Sequence, residues 1–173
     1  DVAWADLDYL LVDLPPGTGE VQMGLARLLP RAEMLVVTTP SLAASRVARR
    51  AVSMARNNYL RVIGVVENLS HFEAPDGSIH HIFGSGGGEY LAHEAGVPLL
   101  GAIPIQAEVA TGGDEGSPVA LDLAGDGPPP GPAGMAFGEL AETLATKVSP
   151  PVAPVGCTAR IPGVVEVSLP AVG

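Results

Sequence analysis

The sequence predicts an α/β fold: an open, mostly parallel β-sheet with helices on both faces. Short aliphatic runs, typical of strands buried on both faces, alternate with segments whose apolar residues have helical spacing. Such alternation is typical of right-handed βαβ units. The chain has 173 residues, enough for one domain with a sizeable core. The predicted strands are Tyr9–Asp13, Met34–Thr38, Val62–Glu67 and Leu99–Ile103.

Two helices are predicted between the first three strands. The first ends before Pro30, and the second is N-capped by Ser41 and reaches about Asn57. Their apolar positions recur at helical spacing and should face the sheet. These positions are Val21, Leu25, Leu28 and Leu29 in the first helix, and Val47, Ala51 and Met54 in the second.

The second half of the chain adds two more helices. The third is predicted from about Gly88 to Ala95, with Gly96 as its C′ residue. A Gly/Pro-rich linker, 122–132, precedes a last helix, 133–148, which is predicted to dock on the sheet. We therefore expect one domain formed by 1–121 and this helix, followed by a Pro-rich, poorly ordered tail, 149–173.

Residues 70–88 are longer than an ordinary connection between a strand and a helix. Their centre predicts a β-hairpin insertion, because Pro75 and Asp76 can form a type I turn with Gly77 in the left-handed conformation. In that hairpin His71 faces His81, with Glu73 on the same side. A metal site there is possible in principle, but a polar, solvent-facing hairpin is the favoured interpretation.

Composition argues against several classes of partner. The net charge of −10 disfavours nucleic acid and anionic lipid surfaces. No apolar run is long enough to span a membrane, and no secretory signal is visible. The single cysteine, Cys157, fits a reducing cytoplasm. Because the chain opens with Asp1, we expect part of the protein to lie upstream.

The stretch "LLVDLPPGTGE", Leu10–Glu20, is the most informative. An aspartate that ends an aliphatic strand is the usual Walker B arrangement, in which the carboxylate of Asp13 holds Mg²⁺ beside nucleotide phosphates. The glycines that follow allow backbone N–H groups to approach a phosphate, and Gly17 is the candidate for that contact. The alternative is an ordinary strand-end aspartate before a tight turn.

Six stretches together resemble the Mrp/ApbC family of P-loop ATPases, which are related to MinD and ParA and regarded as iron–sulfur cluster carriers. The resemblance covers roughly residues 5–148. It implies ATP and Mg as cofactors, a [4Fe-4S] cluster, a homodimer and iron–sulfur client apoproteins. The stretches are Asp8–Glu20, Val36–Ala44, Gly64–Ser70, Ile82–Ala92, Val97–Ile105 and Gly113–Val119.

The resemblance also implies roles for single residues. Asp13 becomes the Walker B carboxylate, and Gly17 lies in the switch II segment that senses the γ-phosphate. Asn68 becomes the residue that reads adenine, since an amide can both donate to and accept from the base edge. Pro104 would line the base pocket, and Thr39 and Pro40 would border the nucleotide cleft; for Asn68 a capped strand end is the alternative.

The chain departs from this family at two sites. The phosphate loop with its lysines is absent: the only lysine is Lys147, and "GSGGGE", Gly84–Glu89, is followed by none, so we interpret it as a flexible entry to the third helix. The family's C-x-x-C motif falls on Ala74 and Gly77, which cannot ligate iron. The chain alone is therefore not expected to hydrolyse ATP, and cluster binding at this position is not expected.

Three functions remain open. The first is an ATP-binding iron–sulfur cluster carrier of the Mrp type, represented by its C-terminal part. The second is a non-catalytic fold remnant or dimerisation module. The third, a positioning ATPase like MinD or ParA, is disfavoured because such a protein needs a basic amphipathic helix at its C-terminus. The last predicted helix instead carries Glu139 and Glu142 against Lys147.

Overall fold

A computed structural model describes residues 7–15, 19–124 and 130–148. Within these residues the chain forms four strands and five α-helices, together with a 3₁₀ helix and a short π-helical turn. The strands are β1 (Glu33–Thr38), β2 (Arg61–Glu73), β3 (Ile79–His80) and β4 (Leu99–Ile105). The helices are α1 (Glu20–Leu28), α2 (Leu42–Asn57), α3 (Gly87–Glu94), α4 (Ala107–Glu115) and α5 (Pro132–Thr143); the 3₁₀ helix is Val119–Ala124 and the π turn Leu144–Val148.

Strand β2 is the centre of the sheet. It pairs in parallel with β1 on one side and with β4 on the other, and its last residues pair with β3 in an antiparallel hairpin. The sheet is therefore open and mostly parallel, as the sequence predicts. Parallel pairing places the carboxyl ends of β1, β2 and β4 at one edge of the sheet, where ligands bind in folds of this class.

The two faces of β2 carry separate core clusters because successive side chains of a strand point to opposite faces. Val65 packs with residues of α2 and α3 on one face, while Val66 packs with Ile103 and the first turn of α5 on the other. The last predicted helix thus docks on the sheet through Ala133, which is fully buried. Helices cover both faces, as expected.

The hairpin and the third helix agree in detail with the sequence. Phe72 pairs with His80 across the hairpin, and Gly77 has a φ of +82°, the left-handed value that its turn position requires. Gly96 follows the end of α3 with a φ of +57°. These glycines were identifiable because each sits where an L side chain would be strained.

The strand predicted at Tyr9–Asp13 is wrong. These residues form no strand, and Leu11 is 89% exposed. An aliphatic run forms a buried strand only when a neighbouring strand and a covering layer exist, and no strand of the described residues lies beside it.

The buried faces of the first two helices also differ from the prediction. Helix α1 buries Gln22 and Ala26, whereas Val21 is 63% exposed. Helix α2 buries Met54 as predicted, but Val47 is 60% exposed. Ser41 occupies the N-cap of α2 without a side-chain cap; its carbonyl accepts a hydrogen bond from the N–H of Ser45. Apolar spacing locates a helix, but the neighbouring elements decide which face is buried.

Helix α4 and the 3₁₀ helix have no counterpart in the prediction, and β2 runs farther into the hairpin than expected. The sequence of α4, "AEVATGGDE", has two adjacent glycines, which lower helix propensity. Among the residues that the structure describes, no helix is both long and apolar enough to cross a membrane. Of the predicted linker, 122–132, residues 122–124 belong to the 3₁₀ helix, Pro132 begins α5, and residues 125–129 lie outside the described residues. The predicted tail, 149–173, also lies outside the described residues.

Leu91 of α3 gives a direct test of this core. Its side chain is 0% exposed, so Leu91→Ala should lower the free energy of unfolding by about 2–5 kcal/mol through lost burial and a residual cavity. Leu28→Ala is the matched control, because Leu28 is 78% exposed and its truncation should change stability by no more than about 0.5 kcal/mol. Urea unfolding followed by circular dichroism measures both, and equal effects would contradict the packing described here.

Candidate functional site

The carboxyl edge of the sheet brings together four of the six residues that the resemblance assigns to the nucleotide site. Thr38 pairs with Glu67 in the β1–β2 register, and Asn68 pairs with Ile103 in the β2–β4 register. Thr39 and Pro40 therefore follow β1 at the level where Asn68 stands on β2. Pro104 stands one residue further along β4. The three chain segments that the resemblance assigned to a nucleotide cleft are neighbours in space.

Burial separates these residues into two groups. Asn68 is exposed and Thr39 half-buried, whereas Pro40 and Pro104 are buried. Side-chain contacts with a ligand must therefore come from Asn68 and Thr39, while the two prolines shape the backbone beneath them. This arrangement suits a surface on which a flat, polar-edged group could rest.

Asn68 is followed by a distortion of its strand. Leu69 has a φ of +58°, which is unusual for a residue with a branched side chain and costs about 1–2 kcal/mol. The β2–β4 register shifts between Asn68 and Phe72, so the distortion is a bulge that redirects the strand toward the hairpin. The Oδ1 of Asn68 accepts a hydrogen bond from the Leu69 N–H at 2.9 Å. Backbone strain of this kind clusters at functional sites.

The N-terminus of α3 holds the edge together through two glycines. A Cβ on Gly87 would overlap the Pro40 carbonyl, and a Cβ on Gly88 would lie 2.7 Å from the Cβ of Glu67. The Gly88 N–H donates to the Glu67 Oε2 at 2.6 Å, and the Ser45 hydroxyl donates to the Gly87 carbonyl at 2.9 Å. The loop after β1 and the end of β2 are thus fixed against the same helix turn.

The interpretation of Gly84–Glu89 as a flexible entry to the third helix is wrong for its last half. Gly87 and Gly88 are buried and tightly packed. Glu67 is only 8% exposed, and its carboxylate accepts an N–H from the helix start, where negative charge is favoured. Sequence reasoning missed Ser45, Glu67 and this contact. The available signal was a carboxylate at the end of an aliphatic run together with three consecutive glycines.

Asp13 is not brought to this edge by any strand pairing of the described residues. Its side chain is exposed on the extended segment that precedes α1. Gln22, which is 4% exposed, donates from Nε2 to the Pro15 carbonyl at 2.7 Å and so ties this segment to α1. Gly17, the predicted phosphate contact, lies outside the described residues.

The hairpin places the two positions of the family's C-x-x-C motif at its turn. The Gly77 N–H donates to the Ala74 carbonyl at 2.8 Å, so the two residues close one tight turn. Neither has a side chain that can bind iron. Asp76 closes the turn further: the Ser78 hydroxyl and N–H both donate to its carboxylate, and these bonds hold the pKa of the Asp76 carboxyl below its ordinary value of 3.8.

The histidines of the hairpin stand as the sequence predicts. The rings of His71 and His81 face each other with centroids 6.3 Å apart, and the Nε2 of His71 lies 3.1 Å from Glu73 Oε1. Nevertheless, the described part of the chain contains no group of three or more His, Cys, Asp or Glu side chains placed to hold a metal ion. The polar, solvent-facing hairpin stays the favoured interpretation of His71, His81 and Glu73.

Comparison with known proteins gives this geometry a family context. Residues 1–143 match the family model described as ParA, NUBPL iron-transfer P-loop NTPase. An iron–sulfur cluster carrier protein from Mycobacterium bovis is 46% identical over 153 residues, 85% of this chain and 39% of the relative. One from Saccharolobus solfataricus is 42% identical over 123 residues, 70% of this chain and 42% of the relative. The chain thus spans less than half the length of these relatives.

Solved structures agree with the fold. A nucleotide-binding protein from Archaeoglobus fulgidus, solved in complex with ADP, superposes with a TM-score of 0.58 at 34% identity, covering 66% of this chain and 47% of that protein. The MinD cell division protein of Aquifex aeolicus superposes with a TM-score of 0.51 at 19% identity, covering 76% of this chain and 51% of that protein. The second likeness concerns the fold alone.

Gly87→Ala tests the contact that fixes the sheet edge. The added methyl group must displace the Pro40 backbone, so we expect the free energy of unfolding to fall by about 1–3 kcal/mol. Gly113→Ala is the matched control: Gly113 lies in α4 with open space around its Cβ position, and alanine there should stabilise by up to about 1 kcal/mol. Chemical unfolding measures both; a stabilising Gly87→Ala would contradict the close packing.

Proposed function

We propose a function from a shown premise: this chain belongs to the ParA family of iron-transfer P-loop NTPases. The proposal is that the chain forms the adenine-binding and magnesium-binding part of the ATP site of an iron–sulfur cluster carrier. One observation carries the proposal: the ends of three parallel strands place Thr39, Asn68 and Pro104 side by side at the sheet edge. Ligands of open α/β sheets bind at this edge.

Asn68 is proposed to read the adenine base. Its side chain is exposed, and the Nδ2 group makes no hydrogen bond within the described residues, so a donor is free for a ring nitrogen. The Oδ1 atom can accept a second hydrogen bond beside that from Leu69, which suits the exocyclic amine of adenine. Thr39 is proposed to border the cleft with its side chain, and the buried Pro40 and Pro104 are proposed to shape the backbone beneath the base.

Asp13 is proposed to hold Mg²⁺ beside the phosphates. One carboxylate is sufficient for this ion, since Mg²⁺ keeps several waters and takes further ligands from the substrate. The exposed carboxylate of Asp13 fits that requirement, and its segment is anchored to α1 by Gln22. When bound, the ion would neutralise phosphate charge. Gly17 is proposed as the γ-phosphate contact.

The phosphates themselves require a group that these 173 residues do not contain. The only lysine, Lys147, follows α5 and no glycine-rich phosphate loop precedes it. Because the lysine and the N–H cradle supply the main electrostatic stabilisation of phosphoryl transfer, we expect no ATP hydrolysis by this chain alone. A loop bearing a lysine, from another segment or subunit, would complete the site.

The cluster is cargo in this proposal, and the hairpin does not fit it. Ala74 and Gly77 provide no thiolate, so a [4Fe-4S] cluster would need ligands other than this turn. On family grounds we also propose that the protein works as a homodimer in the cytoplasm. Its proposed clients are iron–sulfur apoproteins. The second candidate, a non-catalytic or dimerisation module, is favoured by the missing thiolates and the missing lysine.

Titration of the chain with Mg-ADP tests the adenine site. Amide chemical shifts should change first at Thr39, Asn68 and the end of β4, and Asn68→Ala should weaken binding by about tenfold because one or two base hydrogen bonds are lost. Asn57→Ala, a change at an exposed asparagine of α2, should leave the affinity unaltered.

The same samples decide between the two candidates. ATP hydrolysis above the Mg-ATP blank would show that the lysine loop is not needed. If no nucleotide concentration changes the amide shifts of Thr39 and Asn68, the ATP-site proposal is wrong. The non-catalytic module is then the better interpretation.

Anaerobic reconstitution with iron and sulfide tests the hairpin as a cluster site. The chain should gain no charge-transfer absorbance of an iron–sulfur cluster at the turn, whereas Ala74→Cys/Gly77→Cys should gain it, because two thiolates per subunit are then available in a dimer. Cys157→Ser, made in both backgrounds, removes the remaining thiol. If the chain with Cys157→Ser as its only change still bound a cluster, the assignment of the turn as cluster-free would be contradicted.

A further inference from the structure

Helix α2 has a charge opposite to that of the rest of the chain. It carries four of the nine basic residues and no acidic residue, so the remainder has five basic residues against 19 acidic ones. Such asymmetry within one small domain marks a surface that attracts anionic groups. The four basic residues are Arg46, Arg49, Arg50 and Arg56.

These arginines differ in what they already contact. Arg49 forms an ion pair with Glu94 at 2.6 Å, and Arg56 donates to the Ala95 carbonyl; both contacts fasten α2 to α3. Arg46 and Arg50 make no such contact within the described residues, and both are exposed. Spaced four residues apart, they lie on the same side of the helix. Two positive charges are therefore left for an external partner.

A cleft of about 450 Å³ lies between α1 and α2. Arg50 lines it, and Arg46 stands one helical turn before Arg50, outside the lining. Met54 is buried and Met23 half-buried, so the deepest part is apolar and adaptable. Polar and charged side chains surround it and are exposed to solvent. They are Arg49, Arg50, Ser53 and Asn57.

We propose that this cleft docks an acidic segment of a partner protein, one that places an apolar side chain on Met23 and Met54 and flanking carboxylates on Arg46 and Arg50. The open rim would leave a small ligand largely solvated, but it suits an extended chain. A nucleic acid fits less well, because a continuous polyanion would also meet the strongly acidic remainder of the domain within about one Debye length. The surface is separate from the strand ends that form the proposed nucleotide site.

Fluorescence anisotropy with labelled peptides tests this surface. The probe is a twelve-residue peptide in which glutamates flank a central leucine; the comparison peptides carry lysine for glutamate, or serine for leucine. We expect binding that weakens with added salt, no binding of the lysine peptide, and weaker binding of the serine peptide. Arg46→Gln/Arg50→Gln should weaken binding of the first peptide by at least about fivefold.

The controls separate this surface from net charge and from fold. Arg31→Gln removes one exposed arginine outside the cleft and should change the affinity by less than about twofold. Met23→Ser should weaken the leucine peptide to the level of the serine peptide, and circular dichroism verifies that each variant is folded. The proposal is overturned if Arg31→Gln weakens peptide binding as much as the double variant does. It is also overturned if a twelve-nucleotide oligo(dT) binds more tightly than the peptide, or if the chain self-associates through α2.

Discussion

The close approach of α3 to the carboxyl edge of the sheet is the constraint on which the candidate site depends. Only glycine allows the backbone at positions 87 and 88 to touch the Pro40 carbonyl and the Glu67 side chain. The loop after β1 and the end of β2 reach the edge on different strands, and the same helix turn fixes both. Every buried side-chain N or O atom of the described residues has a hydrogen-bond partner, so Ser45 and Glu67 hold this junction without a desolvation cost left unmet.

The strained backbone of Leu69 depends on the packing of the sheet edge around it. Leu69 keeps its left-handed backbone only because neighbours fix both sides: Glu67 is bonded to α3, and Phe72 pairs with β3 and β4. The bulge between them shifts the β2–β4 register, and Asn68 stands exposed just before it. The strained residue thus directly follows an exposed amide at the carboxyl edge of the sheet.

Sequence patterns predicted the strands and turns that depend on local residue preferences. The runs at 34–38 and 99–103 became strands, and Gly77 and Gly96 marked turns that only their backbone freedom explains. The prediction failed where a neighbour decides the outcome. The run Tyr9–Asp13 has the composition of a buried strand, yet no described strand stands beside it, and in α1 the buried residue is polar Gln22 rather than Val21. At the candidate site, Asn68 is predicted from the sequence and stays a prediction. Glu67 and Ser45 were missed because they contact Gly88 and Gly87, which lie 21 and 42 residues away along the chain.

The distribution of charge and of apolar surface separates the two proposed sites within one small domain. The strand ends present an amide, a hydroxyl and a proline-supported surface, which suit an aromatic base. Helix α2, with four arginines and no acidic residue, starts near this edge, and its Arg50 and Met54 line the cleft beside α1. Helix α2 begins at Leu42, two residues after Pro40, whose carbonyl leaves no room for a Cβ on Gly87. The start of this one helix therefore joins the proposed docking cleft to the loop that is proposed to border the nucleotide.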